Sequence, residues 1–596
     1  MDLHCGGSEP TDDECAAVDA LLGPPESSWE GAEPADADLR WSRGGHAARS
    51  RRDLLLPGLH ALQDRIGWIS EGALGYLCRR LTVAPAEAYG VATGSPLFSV
   101  SPLPATVLRM CTDLACEAAG ASALCADVDA RLGGVSRVSV RRVSCLGLCE
   151  RAPAALAITA GDPVRTAVSA PATAEAAVLA ATAPDSAPQE PPAEAAVPRS
   201  AGRAPVLLRR VGVVDPPSPD DYRAHGGWAA LRRAFALGPA GVLREIADSG
   251  LAGRGGAAFP AGQDGRAVPV GRGWQAVASR PDRPHHLVCN ADEAGAGAFR
   301  DRVLMEGDPY ALVEAMTIAG YAIGARRGYL CVRGAYPRAV RRMRRAVDRA
   351  RARGLLGDDV LGRGHAFDIE IRRGAGGYVC GEETAVLRSI EGYRAEPRPT
   401  PPFPSEKGLF GGPTVVADVE TLLGVLPILT EGPTASGAGR LVCVSGGVER
   451  PGVHEVPHGE TLGGLLARAG VRPGLRAVLV GGVAGGFVRP DELDVPVDSG
   501  VVIAFGGGVP VPRLLSRVAE FFRDESCGLC IPCRTGTVRQ EEVLRRIADR
   551  AGPAVAGDLA LLGEVGRAMR DASLCGLGRS AWNAVESGVD RLGAYG

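Results

Sequence analysis

Three cysteines separated by two residues each, Cys527, Cys530 and Cys533 in D-E-S-C-G-L-C-I-P-C-R-T-G-T (524–537), constrain this chain more than any other stretch. Spacing this tight lets three thiolates line one face of a metal centre, with Gly528 free to bend the backbone around it. A fourth ligand is required. In tandem bacterial ferredoxins it follows three residues later and is trailed by proline, but Arg534–Thr537 supplies none. The one cysteine further downstream is Cys575, in S-L-C-G-L-G, after a stretch of helical character that can fold back. Cys527, Cys530, Cys533 and Cys575 together make a [4Fe–4S] ligand set. The alternative is a four-cysteine zinc site, which favours two C-x2-C pairs over a packed triplet.

At 596 residues the chain is long enough for several domains. A net charge of −3 gives no electrostatic reason to expect nucleic acid. Of the 66 basic residues only Lys407 is a lysine, a bias toward arginine that bears on lysines missing elsewhere. No apolar run approaches the ~18–20 residues that span a bilayer, and the acidic start (Thr11–Glu14) is unlike a signal peptide. The expectation is a cytoplasmic protein, without direct membrane insertion and peripheral to the inner membrane face only through partner subunits. In that compartment sixteen clustered cysteines argue for metal or redox sites rather than disulfides.

Composition divides the rest. Residues 1–50 are polar and aperiodic and are expected to be disordered; Cys5 and Cys15 there receive no role. Residues 51–95 carry three helical patterns, a small helical bundle. Within 96–169, strand Val107–Met110 leads into Cys111 and Cys116, and strand Val135–Val143 into Cys145 and Cys149. The C-x4-C and C-x3-C pairs, each after a strand, can present four thiolates to a [2Fe–2S] cluster, with zinc again the alternative. Cys78 and Cys125 fall outside the pattern and read as core residues. Residues 170–205, rich in Ala, Pro, Glu and Ser, are expected to be a linker.

Residues 206–432 carry two glycine-rich loops, G-L-A-G-R-G-G-A-A-F (250–259) and G-A-G-G-Y-V-C-G-E-E-T-A (374–385). Between them strand His286–Cys289 ends in N-A-D-E, carboxylates where an open α/β sheet keeps its ligand crevice. Glu382 and Glu383 open a helix, where acidic residues also serve simply to balance the helix dipole. Residues 440–510 alternate short strands with one helix, and 511–596 are helical around the cysteine triplet.

Several motifs stand in one order: G-R-G-G-A-A-F, C-N-A-D-E, G-G-Y-V-C-G-E-E-T-A, P-P-F-P (401–404), T-V-V-A-D-V-E-T (414–421) and E-S-C-G-L-C-I-P-C-R. With them, residues 206–596 resemble the F-type, NADH- and FMN-binding flavoprotein of NADH-quinone oxidoreductase (respiratory complex I). Residues 54–160 resemble its E-type, thioredoxin-like component. The fused arrangement is similar to diaphorase subunits of NAD-reducing hydrogenases and beta subunits of NAD-dependent formate dehydrogenases. The resemblance implies an α/β multidomain protein: a helical bundle with a thioredoxin-like [2Fe–2S] domain, an FMN/NADH-binding α/β domain, a ubiquitin-like β-grasp domain and a C-terminal helical [4Fe–4S] domain. It implies FMN contacts from Gly253, Gly255, Asn290, Asp292, Gly381 and Glu382, with Gly256, Glu293 and Asp418 also in the cofactor-binding set. Phe259, Tyr378, Glu383 and Phe403 would shape the NADH site, Tyr378 and Glu383 as its catalytic residues. The partners implied are NADH, a further iron–sulfur protein and a catalytic subunit: a formate dehydrogenase, a hydrogenase or a quinone-reducing arm.

The chain departs from the family where charge is expected. The lysine before tryptophan is Gly273 beside Trp274, or Asp264 if 263–271 is not an insertion. The lysine before P-P-F-P is Thr400, a glutamate is Gly295, and an asparagine pair is Ala417–Asp418. Arginine bias does not turn lysine into glycine or threonine. Two classes therefore stay open: an NADH dehydrogenase, or a non-catalytic electron-relay or assembly protein with a weakened NADH site.

Overall fold

Residues 8–30, 32–33, 35, 38, 50–198, 204–253, 269–281, 284–548 and 553–595 are described by a computed structural model. The N-terminal region is not uniformly disordered, contrary to its composition. Thr11 and Glu14 form a reciprocal capping box, and helix Asp12–Leu22 follows, burying Ala17, Val18 and Leu22. These side chains join a core with helices Leu55–Ile66, Glu71–Leu81 and Pro85–Thr93, so the bundle has four helices among the described residues rather than three. Cys15 and Cys78 belong to that core, whereas Cys5 lies outside the described residues.

The thioredoxin-like unit is a four-stranded sheet of β1 (Thr106–Cys111), β2 (Val138–Val143), β3 (Ala155–Thr159) and β4 (Arg165–Ser169) in the order β2-β1-β3-β4. Only β1 and β2 run parallel. Helix Ala121–Leu132, carrying the buried Cys125, covers one face. A second helix, Ala174–Thr182, packs on the same core from within the expected linker. Thr173 caps it, and its run of alanines is both the best helix former and small enough to lie close on the sheet. Further on, Ala193 and Ala196 are buried in the main core, and the Glu455 carboxylate accepts the backbone N–H groups of Val206, Leu207 and Leu208.

The central domain is a parallel sheet of β5 (His286–Ala291), β6 (Arg327–Val332), β7 (Asp368–Arg373) and β8 (Thr414–Ala417), ordered β7-β6-β5-β8. The chain steps outward from β5 to β7 and returns to the other side of β5, which places a topological switch point there. Helices Pro309–Ile323 and Pro337–Ala352, each opened by proline at its first position, pack against the sheet. Strands β9 (Arg440–Gly446), β10 (Gly452–Val456), β11 (Leu475–Val480), β12 (Gly486–Val488) and β13 (Val501–Gly506) form the β-grasp sheet, order β10-β9-β13-β11-β12, around helix Leu462–Ala469. Helices Val511–Glu525, Ile531–Ala548, Pro553–Ala572, Gly576–Ser580 and Asn583–Asp590 complete the chain.

Glu314, buried on helix Pro309–Ile323, holds residues 222–231 in place by accepting from Tyr222 Oη at 2.5 Å, Trp228 N at 2.8 Å and Leu231 N at 2.9 Å. Glu314→Leu strands three buried donors and should cost about 3 kcal/mol, read as a lower urea midpoint at unchanged iron and flavin content. An unchanged midpoint would show that those donors find other acceptors.

Candidate functional site

The carboxyl ends of the parallel strands carry most of the expected flavin residues. At the end of β5, Asn290 Nδ2 donates to Cys380 O at 2.9 Å, tying the strand to the second glycine loop, and longer to Gly381 O at 3.4 Å. Asp292 Oδ1 is buried without a hydrogen-bond partner among the described residues. Burial pushes the Asp292 carboxyl up to about 6, against the pull of Arg333 and with a push from Glu525. A Cβ on Gly374, just past β7, would lie 2.3 Å from Asp292 Oδ2, so only glycine permits this approach. A buried, unpaired carboxylate oxygen and a side-chain-free loop beside it fit a flavin with its own donors.

Several other acidic candidates have structural duties. Glu382 caps helix Glu383–Ile390, accepting from Thr384 N at 3.0 Å and Ala385 N at 2.7 Å. Asp418 caps helix Val419–Leu423 through Thr421 N at 2.8 Å. Glu293 accepts from Arg300 N and Asp301 N, both at 3.1 Å, at the start of helix Arg300–Gly307; burial, against Arg300, raises its carboxyl to about 7. Glu383 makes neither kind of cap bond. Its side chain reaches solvent, yet nearby protein strips enough water, and Glu382 adds enough repulsion, to push it up to about 7.

The first cysteine set converges. Cys111, Cys116, Cys145 and Cys149 are all buried; Cys111 contacts Cys116 and Cys145, and Cys145 Sγ lies 3.2 Å from Cys149 Sγ. Asp113 braces both loops by accepting from Leu114 N and Cys145 N. Gly147 N donates to Cys145 Sγ at 3.3 Å. Gly147 sits at φ +68, and a Cβ there would fall 2.2 Å from Tyr336 Oη, so the loop can press on the central domain only as glycine. Arg333, at the end of β6, donates to Cys145 O at 2.5 Å and to Glu293 O, joining the cysteine loop to the flavin loop. Arg302 adds bonds to Gly147 O at 2.8 Å and Glu150 at 2.6 Å.

The second set lies across the flavin loop. Cys527 and Cys530 sit at the turn between helices Val511–Glu525 and Ile531–Ala548, Cys533 in the first turn of the second, and Cys575 is brought back to them, close enough that Cys527 and Cys533 raise its thiol beyond what burial does. A Cβ on Gly578 would lie 2.9 Å from Cys533 Cβ. Glu525, two residues before the triplet, accepts from Tyr378 N at 2.6 Å. Tyr378 itself is buried, edge-on to Phe521 at 5.1 Å, facing the helix that leads to the triplet. Among the described residues no three His, Cys, Asp or Glu side chains are placed to hold a single metal ion. Both sets are all-thiol, the donor chemistry of iron–sulfur clusters.

Nothing in the sequence patterns gave Arg333 or Glu525 a role. Arg333 follows a parallel strand as Asn290 does, and Glu525 abuts the triplet; those positions were the available signals. Gly255, Gly256 and Phe259 lie outside the described residues, and Gly253 is partly buried just before them. Thr400 is exposed, with Phe403 partly buried behind it. Arg398, close to Thr400, is paired with Glu391 and does not supply the missing cation. Arg272 is exposed, with no ion-pair partner among the described residues, beside Gly273, whose Cβ position is open space.

Three family models match: the Nuo51 FMN-binding domain over 246–426, the NADH-ubiquinone oxidoreductase-F iron-sulfur binding region over 513–593, and the thioredoxin-like [2Fe-2S] ferredoxin over 45–170. An F-type NADH-quinone oxidoreductase protein of Rhizobium meliloti, the one numbered 2, is 40% identical over 402 residues, 63% of this chain and 93% of that protein. The chain belongs to the F-type NADH-quinone oxidoreductase family. The NADP-reducing hydrogenase component HndC of Solidesulfovibrio fructosivorans is 38% identical over 409 residues, 65% of this chain and 81% of its own length. A crystal structure of an NAD+-reducing [NiFe]-hydrogenase in the H2-reduced state superposes with TM-score 0.77 at 30% identity, covering 90% of this chain and 91% of that one. Cys527, Cys530, Cys533 and Cys575 fall inside the matched F-type iron–sulfur region, and Cys111, Cys116, Cys145 and Cys149 inside the separate thioredoxin-like [2Fe-2S] match, and the zinc alternatives fall away.

The purified protein should hold about six irons, four and two. Cys575→Ser should remove the [4Fe–4S] signal from the reduced EPR spectrum and leave about two irons with an intact [2Fe–2S] signal. A normal [4Fe–4S] spectrum in that variant would assign the fourth ligand elsewhere.

Proposed function

We propose that the chain is the NADH-oxidising end of a multi-subunit oxidoreductase, exchanging electrons between NADH and partner subunits through FMN and two iron–sulfur clusters. The observation that carries it is the direct bonding of both cysteine loops to the flavin loops, through Arg333 on one side and Glu525 on the other. Bound FMN would supply the conversion of a two-electron hydride into single electrons. Gly253, Asn290, Asp292 and Gly381 would hold it. Glu382 fixes the start of helix Glu383–Ile390, Glu383 and Phe403 would line the dinucleotide site, and the buried Tyr378, packed on Phe521, would keep water out on the side of the cysteine triplet. The hydrogenase structure covers 90% of this chain, more than the flavin and [4Fe–4S] regions alone, whereas the Rhizobium relative matches 63% of it. That favours a hydrogenase-type or similar soluble catalytic partner, with a further iron–sulfur protein between, over a quinone-reducing arm. No described helix is long and apolar enough to cross a membrane.

A visible spectrum with flavin bands beside broad iron–sulfur absorption, bleached by NADH, tests the core of the proposal; a protein without flavin would sink it. The charge losses then set its kinetics. Thr400→Lys returns one cation and should lower the KM for NADH about tenfold at nearly constant kcat, the pattern of uniform binding. A change confined to kcat would mean that position 400 acts on the chemistry instead.

Glu383 gives a pH dependence. Its carboxyl is neutral below about 7 and negative above, and the NADH diphosphate is negative throughout. KM should therefore rise as pH climbs through 7, and Glu383→Gln should flatten the rise. The same KM profile in both proteins would place Glu383 away from the dinucleotide.

A further inference from the structure

We propose that the cavity where the N-terminal helices, the thioredoxin-like sheet and the central domain meet binds a small phosphate-class oxyanion. The cavity is about 140 Å³ and is lined by Arg109, Arg341, Arg344 and Arg373 against a single acid, Asp64; His60 also borders it, and most of the remaining wall is apolar. Its lining includes none of the eight cysteines of the two sets and none of the expected flavin residues.

The charges there do not balance. Both Asp64 oxygens are taken by Arg373, at 2.9 and 2.8 Å. His60 accepts from Arg373 Nε through Nδ1 at 3.0 Å, which leaves Nε2 to donate to Arg373 O at 3.0 Å. Burial first, and then Arg373, hold this imidazole neutral. Arg109 sits in the middle of the central strand β1, only 6% exposed, and its side chain's one hydrogen bond among the described residues runs from NH2 to Leu97 O at 3.0 Å. No described carboxylate pairs with it. Its partner across β2 is Arg141, a like charge directly opposite, which is destabilising in a sheet. A buried cation with a like neighbour and no acid is a costly arrangement for the chain alone, and an entering anion relieves it.

The mouth suits such a ligand. Among the described residues Arg341 bonds only Thr166 Oγ1, at 3.2 Å, and Arg344 makes no hydrogen bond or ion pair; both reach solvent. Guanidinium forks match the tetrahedral oxygens of phosphate. The volume is well below the ~300 Å³ where organic-cofactor sites begin, which excludes a dinucleotide and admits phosphate or a small phosphomonoester. Arg109 stands two residues before Cys111, and Arg373 directly before Gly374, so an anion between them would tie the [2Fe–2S] strand to the flavin loop.

The test uses full-length protein loaded with flavin and iron, saturated with NAD+ so that the dinucleotide's phosphate sites are filled. Sodium phosphate is titrated against sodium chloride at constant ionic strength, following the melting temperature, with radiolabelled phosphate in equilibrium dialysis. The expected result is one saturable site per chain and a saturable rise in melting temperature. Arg109→Met should melt higher than the unaltered protein without phosphate and lose the phosphate response. Arg344→Gln, at the exposed mouth, should weaken phosphate about tenfold at unchanged flavin and iron content, and decides the matter should Arg109→Met fail to fold. Glycerol phosphate in a parallel arm separates the sources: tighter binding than phosphate names an organic phosphate, equal or weaker binding the free ion. No saturable site, or undiminished affinity in Arg344→Gln, would overturn the assignment.

Discussion

Arg333 is a buried cation that forms no ion pair with a described carboxylate and directs its donors at two carbonyls, Cys145 O in the thioredoxin-like domain and Glu293 O in the central one. Burial works against its charge, but Tyr336, Cys145 and Asp292 outweigh burial and keep it protonated. Removing an arginine from water costs several kcal/mol unless its hydrogens find acceptors, so the two loops are drawn to it as much as it is drawn to them. Much of the electron-carrying arrangement depends on this clasp. The Gly147 turn must lie flat on Tyr336 for Cys145 O to reach the guanidinium, and Tyr336 Oη in turn donates to Glu293 O at 3.3 Å. On the opposite side the Glu525–Tyr378 bond does the corresponding job for the second cluster loop.

The sequence made these parts legible to different degrees. Cysteine spacing is a local signal: C-x4-C, C-x3-C and the packed triplet mark seven thiols without any knowledge of the fold, and Cys575 follows as the one cysteine downstream of the triplet. Fold class was legible for a similar reason: the strand before N-A-D-E is a short apolar run, and short strands alternate with a helix through 440–510. What stayed hidden depends on partners distant in the chain. Helix Asp12–Leu22 looked disordered because its apolar face is made of Ala, Val and one Leu in acidic surroundings, and it acquires a reason to form only against helices 55–66 and 71–81. Helix Ala174–Thr182 looked like a linker because alanine is as common in linkers as in tightly packed helices. Glu382 and Asp418 read as cofactor ligands in the sequence, and the cap bonds that each makes depend on how the following helix starts in the fold.

The missing family charges can now be seen in their surroundings. Arg398 was a natural substitute by proximity in sequence, but Glu391 claims it, and Glu391 also accepts from Phe410 N, so the pair braces the loop rather than presenting a charge outward. Arg272 is the cation left with an open approach. At Gly295 a Cβ would be in ordinary contact with Tyr378, 3.6 Å away, so the lost glutamate was not displaced by crowding. Dinucleotide affinity in this chain is thus a matter of which charges face the crevice, with space for them still present.

Among the described residues, the segment that leaves helix Ala174–Thr182 is held to its neighbours. Glu190 meets Arg151 at 3.2 Å and Arg338 at 3.3 Å, Ala193 and Ala196 are buried, and Glu455 grips three successive amides near its end. Its consequence concerns dilution. Two separate chains would have to find each other by mass action, and a fraction of flavin domains would work without their [2Fe–2S] partner whenever concentrations fell or one chain was made in excess. A tether laid down along the surface it joins holds the effective concentration of the thioredoxin-like domain far above any cellular value. Each flavin domain is therefore born with one such domain, at fixed stoichiometry, and its electron storage capacity per turnover does not vary with expression level.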